Sequence, residues 1–149
     1  MIHKILRLTL VLLAALTHIQ AQDLTPAQIP DVVTSAFKQA YPQVAEVKWK
    51  LKKGLYKADF KVGKTDHEVW LTKAGVTEKH RYELKSEKLP APVAATIKRD
   101  FSSYTIGKCE QTDEKGTSIY RVELKSDAGK KHVKFSGDGK AIVKDDKEE

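Results

Sequence analysis

The sequence is short of the residues that build covalent or metal cross-links. Its 149 residues include a single cysteine, Cys109, so no disulfide can form within the chain. His67, His80 and His132 have no His or Cys partners at the spacings typical of zinc sites, which argues against a metal site. We therefore expect an ordinary hydrophobic core and no cofactor, with Cys109 as a small buried apolar residue rather than a reactive thiol.

Motifs for catalysis and nucleotide binding are also missing. The sequence contains no G-x-S-x-G nucleophile motif, and the glycines of SGDGK, residues 136–140, form neither a P-loop nor a dinucleotide fingerprint. The same segment lacks the spaced acidic ligands of a calcium-binding loop. We therefore expect a protein that is not an enzyme, since an enzyme would need a closed pocket with perturbed acid or base groups.

Long apolar runs are scarce, and the clear one lies near the N-terminus. Two basic residues precede an apolar run from Leu8 to Leu16, and the small residue Ala21 ends the segment. This layout is typical of a secretory signal peptide over residues 1–21, because the run is too short for the ~20 residues of a spanning helix. We expect a periplasmic or secreted protein that begins near Gln22, with an uncleaved membrane anchor as the alternative.

The remaining chain contains two related units. The stretch IPDVVTSAFKQAYP begins at Ile29 and LPAPVAATIKRDFSSY begins at Leu89, and each opens with an aliphatic residue followed by proline. Both stretches carry apolar residues at helical spacing, so each predicts an amphipathic helix with the proline in its first turn. Past the helices, apolar residues and glycines recur at a constant offset. These matches predict an internal repeat of residues 29–84 and 89–143.

Each unit continues with alternating patterns that predict four strands. Short glycine-containing turns separate the strands, which indicates antiparallel neighbours in a meander. The predicted strands cover residues 44–51, 55–62, 67–72, 76–84, 104–111, 118–125, 130–135 and 140–144. The predicted fold class is therefore α+β: a two-layer tandem duplication of a helix plus a four-stranded antiparallel meander, with the helices on one face of an open sheet. Residues 22–149 form this single domain, with a solvated charged tail over 144–149.

Strand alternation separates aromatic residues from lysines. In KWKLKKGLYKADFK, residues 48–61, Trp49 and Phe60 belong to the face that the helix covers, whereas most of the lysines lie on the opposite, outer face. Because a nucleic-acid site needs aromatic and basic side chains on one side, this sorting argues against nucleic acid as a partner. The predicted outer face carries the charged residues Lys48, Lys50, Lys57, Asp59, Lys61, Glu68, Arg121, Glu123, Lys125 and Lys134.

Trp70 departs from this sorting. Val69 and Leu71 align with the inward positions Val133 and Phe135 of the second unit, so Trp70 falls on the outer face among the lysines. A tryptophan on an exposed charged face is typical of a binding hot spot. The alternative is that a loop, the tail or the other unit covers it. The candidate partner-binding residues are Trp70, Lys48, Lys50, Lys57, Asp59, Lys61, Arg121 and Lys134.

The pattern as a whole resembles a known family. The resemblance rests on the IP and LP helix starts, on AFKQAYP at the end of the first helix, and on the segments KWK…G.Y.ADF and G.SIYRVELK. Over residues 29–143 the chain resembles the bacterial exported PepSY-like family with a β-lactamase-inhibitor-like fold. The resemblance implies two helices on one side of a long open sheet whose concave face holds a protein partner. It also implies relatives that inhibit or chaperone peptidases.

Two functions are open for the outer face. The first is an exported non-enzymatic binding module, an inhibitor or chaperone-like binder of an envelope protein or peptidase. The alternative is a binder of anionic polymer or membrane headgroups through the lysine-rich face, which strong salt dependence would identify. The formal net charge of +7 at pH 7 fits either partner.

Overall fold

The computed structural model describes residues 22–142, which form nine β-strands, two α-helices and two short 3-10 helices, one before each α-helix. The predicted signal peptide and the predicted charged tail lie outside the described residues. The strands and α-helices are β1 (Gln22–Leu24), α1 (Asp31–Ala40), β2 (Val47–Lys52), β3 (Leu55–Val62), β4 (Thr65–Leu71), β5 (Thr77–Leu84), α2 (Ala91–Asp100), β6 (Thr105–Glu114), β7 (Thr117–Ser126), β8 (Gly129–Ser136) and β9 (Ala141–Ile142).

All nine strands form one antiparallel sheet in which the spatial order is the sequence order. β5 and β6 pair over six residue pairs, from Lys79 opposite Glu114 to Leu84 opposite Cys109, although α2 lies between them in the chain. The predicted fold class, a two-layer tandem duplication of a helix plus a four-stranded meander, is therefore wrong. The molecule is mostly a single nine-stranded sheet accompanied by two ten-residue α-helices.

The error has a physical cause. Turn residues in the sequence indicate which strands pair when one strand directly follows the other. Because α2 lies between β5 and β6 in the chain, no local sequence pattern indicates that these two strands pair. β1 was missed because it has only three residues, and it joins the sheet by pairing Leu24 with Trp49. The strand pairing is thus continuous from β1 to β9, with no break between two four-stranded units.

Both α-helices begin immediately after a proline. Pro30 and Pro90 occupy the N-cap positions with extended backbone angles, and the aliphatic residue before each one, Ile29 or Leu89, is buried. The proline fixes its own φ near the value that helix entry needs. At the other end of α1, the N–H of Tyr41 donates to the carbonyl of Phe37, and the next residue is a proline that cannot continue the helix.

Both helices pack on the same face of the sheet, as the register of β4 to β7 shows. α1 buries Val33 and Phe37 against β2, β3 and β4. α2 buries Val93 and Ile97 against β6, β7 and β8. Trp49 belongs to the first of these two hydrophobic clusters and is 7% exposed, which confirms its predicted inward position. Neither helix of residues 22–142 packs on the opposite, outer face of the sheet.

A bulge interrupts the alternation of side chains in β6. The register with β7 shifts between Ile106 and Cys109, so that Ile106 lies opposite Leu124 and Cys109 opposite Val122. The extra residue places both side chains toward the helix side, although strict alternation puts them on opposite faces. Cys109 is 1% exposed, which confirms that it is buried.

Candidate functional site

The candidate residues predicted from sequence all lie on the outer face, but they form two groups. Cross-strand pairing places Lys50 beside Lys57 and Lys57 beside Trp70. The neighbours Lys48, Asp59 and Lys61 occupy the same face of β2 and β3. Arg121 and Lys134 face each other across β7 and β8 and so lie three and four strands away from Trp70, respectively. The first group therefore forms one contiguous surface, and the second does not reach it.

Trp70 lies at the centre of a ring of three cations. The ring centroid of Trp70 is 5.3 Å from Lys57 Nζ, 5.1 Å from Lys79 Nζ and 5.7 Å from Arg81 Cζ. All three distances are within the roughly 6 Å at which a cation is attracted by the face of an aromatic ring. Trp70 is half-buried, and these three neighbouring side chains lie against its ring.

Lys79 and Arg81 were missed as site residues, although a signal for them exists in the sequence. Leu84 and Tyr82 point toward the helix side of β5, and two-residue alternation from Leu84 places Lys79 and Arg81 on the outer face. Without the β4–β5 register, however, alternation alone does not put these two cations beside Trp70. The register does so by pairing Trp70 with Lys79 directly.

Carboxylates hold the three cations in place. Lys57 Nζ lies 2.8 Å from Asp59 and 3.0 Å from Glu68, and the Lys57 side chain is only 14% exposed. Glu68 also accepts a hydrogen bond from Arg81. Lys79 Nζ lies 3.4 Å from a carboxylate oxygen on β6. The cation ring is thus locally balanced in charge, and its geometry is held by cross-strand ion pairs.

The outer face is more acidic at its centre than the sequence indicated. Glu83 and Glu110 lie directly opposite each other on β5 and β6, an arrangement of like charges that is unfavourable by itself. Lys108 Nζ bridges them at 3.7 and 3.4 Å. The acidic residues that the sequence did not place on this face are Asp23, Asp66, Glu83, Glu110 and Glu114. The outer face is therefore a mosaic of both charges.

Two exposed ion pairs on this face shift the ionisation of their members. A hydrogen bond between Lys61 and Asp66 raises the pKa of the lysine and lowers the pKa of the aspartic acid. A hydrogen bond from Lys125 lowers the pKa of Glu123 in the same way. Each shift favours the charged form of its group, so Lys61, Asp66 and Glu123 stay ionised at neutral pH.

The rest of the described structure offers little for chemistry. Burial raises the pKa of the Cys109 thiol to about 11, so this cysteine is a thiol rather than a nucleophilic thiolate at neutral pH. In residues 22–142, no group of three or more His, Cys, Asp or Glu side chains is placed to hold a metal ion. A pocket of about 350 Å³ opens between α1 and β2, and its lining of Phe37, Val47 and Trp49 is mainly apolar. None of the helices in the described part of the chain is long and apolar enough to cross a membrane.

Solved structures of several Bacteroides proteins share this fold. A "putative periplasmic" protein of Bacteroides eggerthii superposes with a TM-score of 0.67 at 22% identity, covering 77% of this chain and 86% of the other. A DUF2874 family protein of Bacteroides uniformis superposes with a TM-score of 0.66 at 23% identity, covering 76% of this chain and 86% of the other. A BLIP-like protein of Bacteroides fragilis superposes with a TM-score of 0.63 at 20% identity, covering 80% of this chain and 92% of the other. At these identities the likeness establishes the fold alone.

The sequence was also compared with family profiles and with curated proteins. No curated protein matches the chain. The profile of the family described as "Putative beta-lactamase-inhibitor-like, PepSY-like" matches residues 15–53 and 54–142. This match covers most of the chain and confirms the resemblance inferred from the sequence. The chain belongs to the PepSY-like, beta-lactamase-inhibitor-like family.

Proposed function

We propose that this protein is an exported, non-enzymatic binding module that holds a protein partner on its outer face. The observation that carries the proposal is the position of Trp70 in a ring of three cations. Trp70 is the only Trp, Tyr or Phe on the outer face of the described strands. Tryptophan and arginine are the residue types most enriched at protein-binding hot spots, and here both occur in one cluster.

The geometry of the Trp70 cluster supports its use as an anchor. Its cations are restrained by ion pairs to Asp59 and Glu68, so a partner would meet side chains that are already ordered. Ordered side chains lose less conformational entropy on binding than free ones do. The sheet beneath is rigid, because Val69 and Leu71 flank Trp70 in sequence and are buried in the hydrophobic core.

The charge mosaic favours a protein over an anionic polymer. A polyanion lying across β4, β5 and β6 would meet the carboxylates of Glu68, Glu83 and Glu110. A protein surface can instead place cations and anions in register with the mosaic. Binding of anionic polymer or headgroups has support from Lys48, which makes no ion pair with another described residue. That alternative predicts a steep loss of affinity with salt.

Export and the envelope partner are part of the same proposal. A signal peptide over residues 1–21 would deliver the protein to the periplasm or the outside, and one structural relative is described as "putative periplasmic". The BLIP-like description of another relative favours an inhibitor-like or chaperone-like role toward an envelope protein such as a peptidase. N-terminal sequencing of the exported protein is expected to find Gln22 as the first residue.

A site-specific crosslinking experiment tests the binding face. A photoreactive residue placed at Lys48 on the outer face should crosslink a protein in the envelope of the producing cells. The same residue placed at Lys38, which is exposed on α1, is the matched control and should capture much less of that protein. Preferential capture at position 38 would overturn the proposed face.

The captured partner, once purified, gives the quantitative test. Trp70→Ala should weaken its binding by about 30-fold, since loss of a hot-spot residue costs about 2 kcal/mol or more. Lys38→Ala should leave the affinity within about twofold. An unchanged affinity for Trp70→Ala would remove the anchor, and binding to anionic vesicles that collapses with salt would favour the alternative.

A further inference from the structure

A strip of polar and aromatic residues lies on the helix side of the sheet, between the two hydrophobic clusters. It is formed by β4, β5 and β6, where His67, His80, Tyr82 and Gln111 lie between the buried apolar residues of the two clusters. None of these four residues belongs to the buried part of either cluster. The strip therefore needs an explanation other than core packing under a helix.

Two imidazoles in this strip bond directly to each other. His67 Nδ1 and His80 Nε2 are 3.0 Å apart, a normal hydrogen-bond distance. The rings are inclined by only 25° with their centroids 5.2 Å apart, so one ring meets the other nearly edge to edge. In this arrangement one nitrogen donates its N–H and the other accepts with its lone pair. There is room for a single proton between the rings.

Aromatic rings hold the pair in position. His67 stacks on Tyr82 with centroids 5.5 Å apart and an angle of 12°, and on Phe60 at 5.4 Å and 24°. Tyr41, the residue that follows α1, packs against His80 in an edge-on arrangement, with the ring centroids 6.0 Å apart. The pair thus joins β4 and β5 to the end of the first helix.

Few charged groups face the pair. Asp113 on β6 is the cross-strand neighbour of His80, and its carboxylate already accepts hydrogen bonds from Gln111 at 2.8 Å and from Ser118 at 2.6 Å. Asp66 precedes His67 in the chain but belongs to the outer face. The other titratable groups near the pair are the phenols of Tyr41 and Tyr82.

We propose that the His67–His80 pair is a proton-sensitive contact that is intact while the pair shares one bridging proton and breaks when both rings become imidazolium. A first added proton can enter on a nitrogen outside the bond and leaves the bridge in place. A second added proton leaves an N–H on both facing nitrogens, so neither nitrogen can accept a hydrogen bond. It also places two positively charged rings next to each other. Acidification therefore separates β4 from β5 at this point and releases the contact with the end of α1.

The direction of the pH effect follows from the surroundings. Burial lowers the pKa of His67, and burial together with the neighbouring His67 lowers the pKa of His80. In the unfolded chain both groups titrate near pH 6.5. Because the folded values lie lower, the stability contributed by the neutral pair is complete above about pH 6.5 and is lost as the pH falls through the folded values.

An NMR titration of the imidazole nitrogens in the wild-type protein tests the proposal without any substitution. At pH 8, one facing nitrogen should show the shift of a protonated N–H and the other that of a lone-pair nitrogen. On acidification the two rings should protonate in separate steps, and the second step should have a pKa below that of the histidines in urea. Simultaneous titration of both rings at the urea value would overturn the proposal.

A stability measurement supplies the second test. Between pH 7.5 and 5.5 the folding equilibrium constant of the wild type should fall at least about fivefold, since each lowered histidine contributes up to about tenfold per pH unit. The double variant His67→Phe, His80→Phe keeps two aromatic rings but no longer titrates at this point. Its folding equilibrium constant should fall by less than about twofold over the same pH range. His132→Phe removes a histidine from the exposed outer face and is the matched control, expected to retain most of the wild-type dependence. A double variant with the full wild-type dependence would refute the proposal, and if it fails to fold the wild-type titration decides.

Discussion

The two tryptophans lie on opposite faces of the same sheet, and their replacement by alanine should have different consequences. Trp49 is 7% exposed and meets Phe37 edge-on, with ring centroids 5.3 Å apart, beneath α1. Trp49→Ala therefore removes a large buried side chain and leaves a cavity between α1 and β2. Substitutions of this kind cost about 3–5 kcal/mol in the free energy of unfolding.

Trp70→Ala removes contacts of another kind. Three cations lie near its ring, and a cation–π contact at an exposed site contributes about 0.5–1 kcal/mol. Lys57 and Arg81 are already paired with carboxylates, which remain after the substitution, so the upper end of that range does not apply to all three. We expect Trp70→Ala to cost about 1–2 kcal/mol, clearly less than Trp49→Ala.

Urea titration of both variants measures the difference, because the midpoint and slope give each free energy of unfolding. Repeating the titration in 1 M salt separates the causes. The cost of Trp70→Ala should shrink with salt, since exposed charges are screened, whereas the cost of Trp49→Ala should not. If Trp70→Ala proves as destabilising as Trp49→Ala and insensitive to salt, Trp70 is a core residue. The proposed binding face then has no aromatic anchor.

Two further predictions concern glycine and cysteine. Gly139 has a φ of 85°, and a Cβ there would collide with the carbonyl of Pro92 at the start of α2, so Gly139→Ala should cost more than about 2 kcal/mol. Gly116 has a φ of 76° but open space around it, so Gly116→Ala should cost only about 1 kcal/mol. Equal urea midpoints for the Gly139→Ala and Gly116→Ala variants would contradict this prediction. Burial raises the pKa of the Cys109 thiol to about 11, so this thiol should resist iodoacetamide at pH 8 in the folded protein and react with it in urea. Rapid labelling of the folded protein would contradict the burial of Cys109.

Short-range features of this protein could be predicted from its sequence. The helices begin after Pro30 and Pro90, because proline restricts the backbone of its immediate neighbourhood. The inward position of Trp49 and the outward position of Trp70 follow from alternation within a single strand. The family could also be identified, because its pattern of turns and apolar residues is spread along most of the chain.

The tertiary structure decided which strands meet and therefore which side chains share a site. The pairing of β5 with β6 joins all the strands into one sheet, and its partners are separated in the chain by a helix. The register of β4 with β5 places Lys79 beside Trp70 and His80 beside His67. Alternation assigns a residue to a face but not to a cross-strand neighbour, because a register shift of two residues keeps every face and changes every neighbour. The face of the sheet was thus readable from the sequence, whereas the cation ring and the histidine pair required the register.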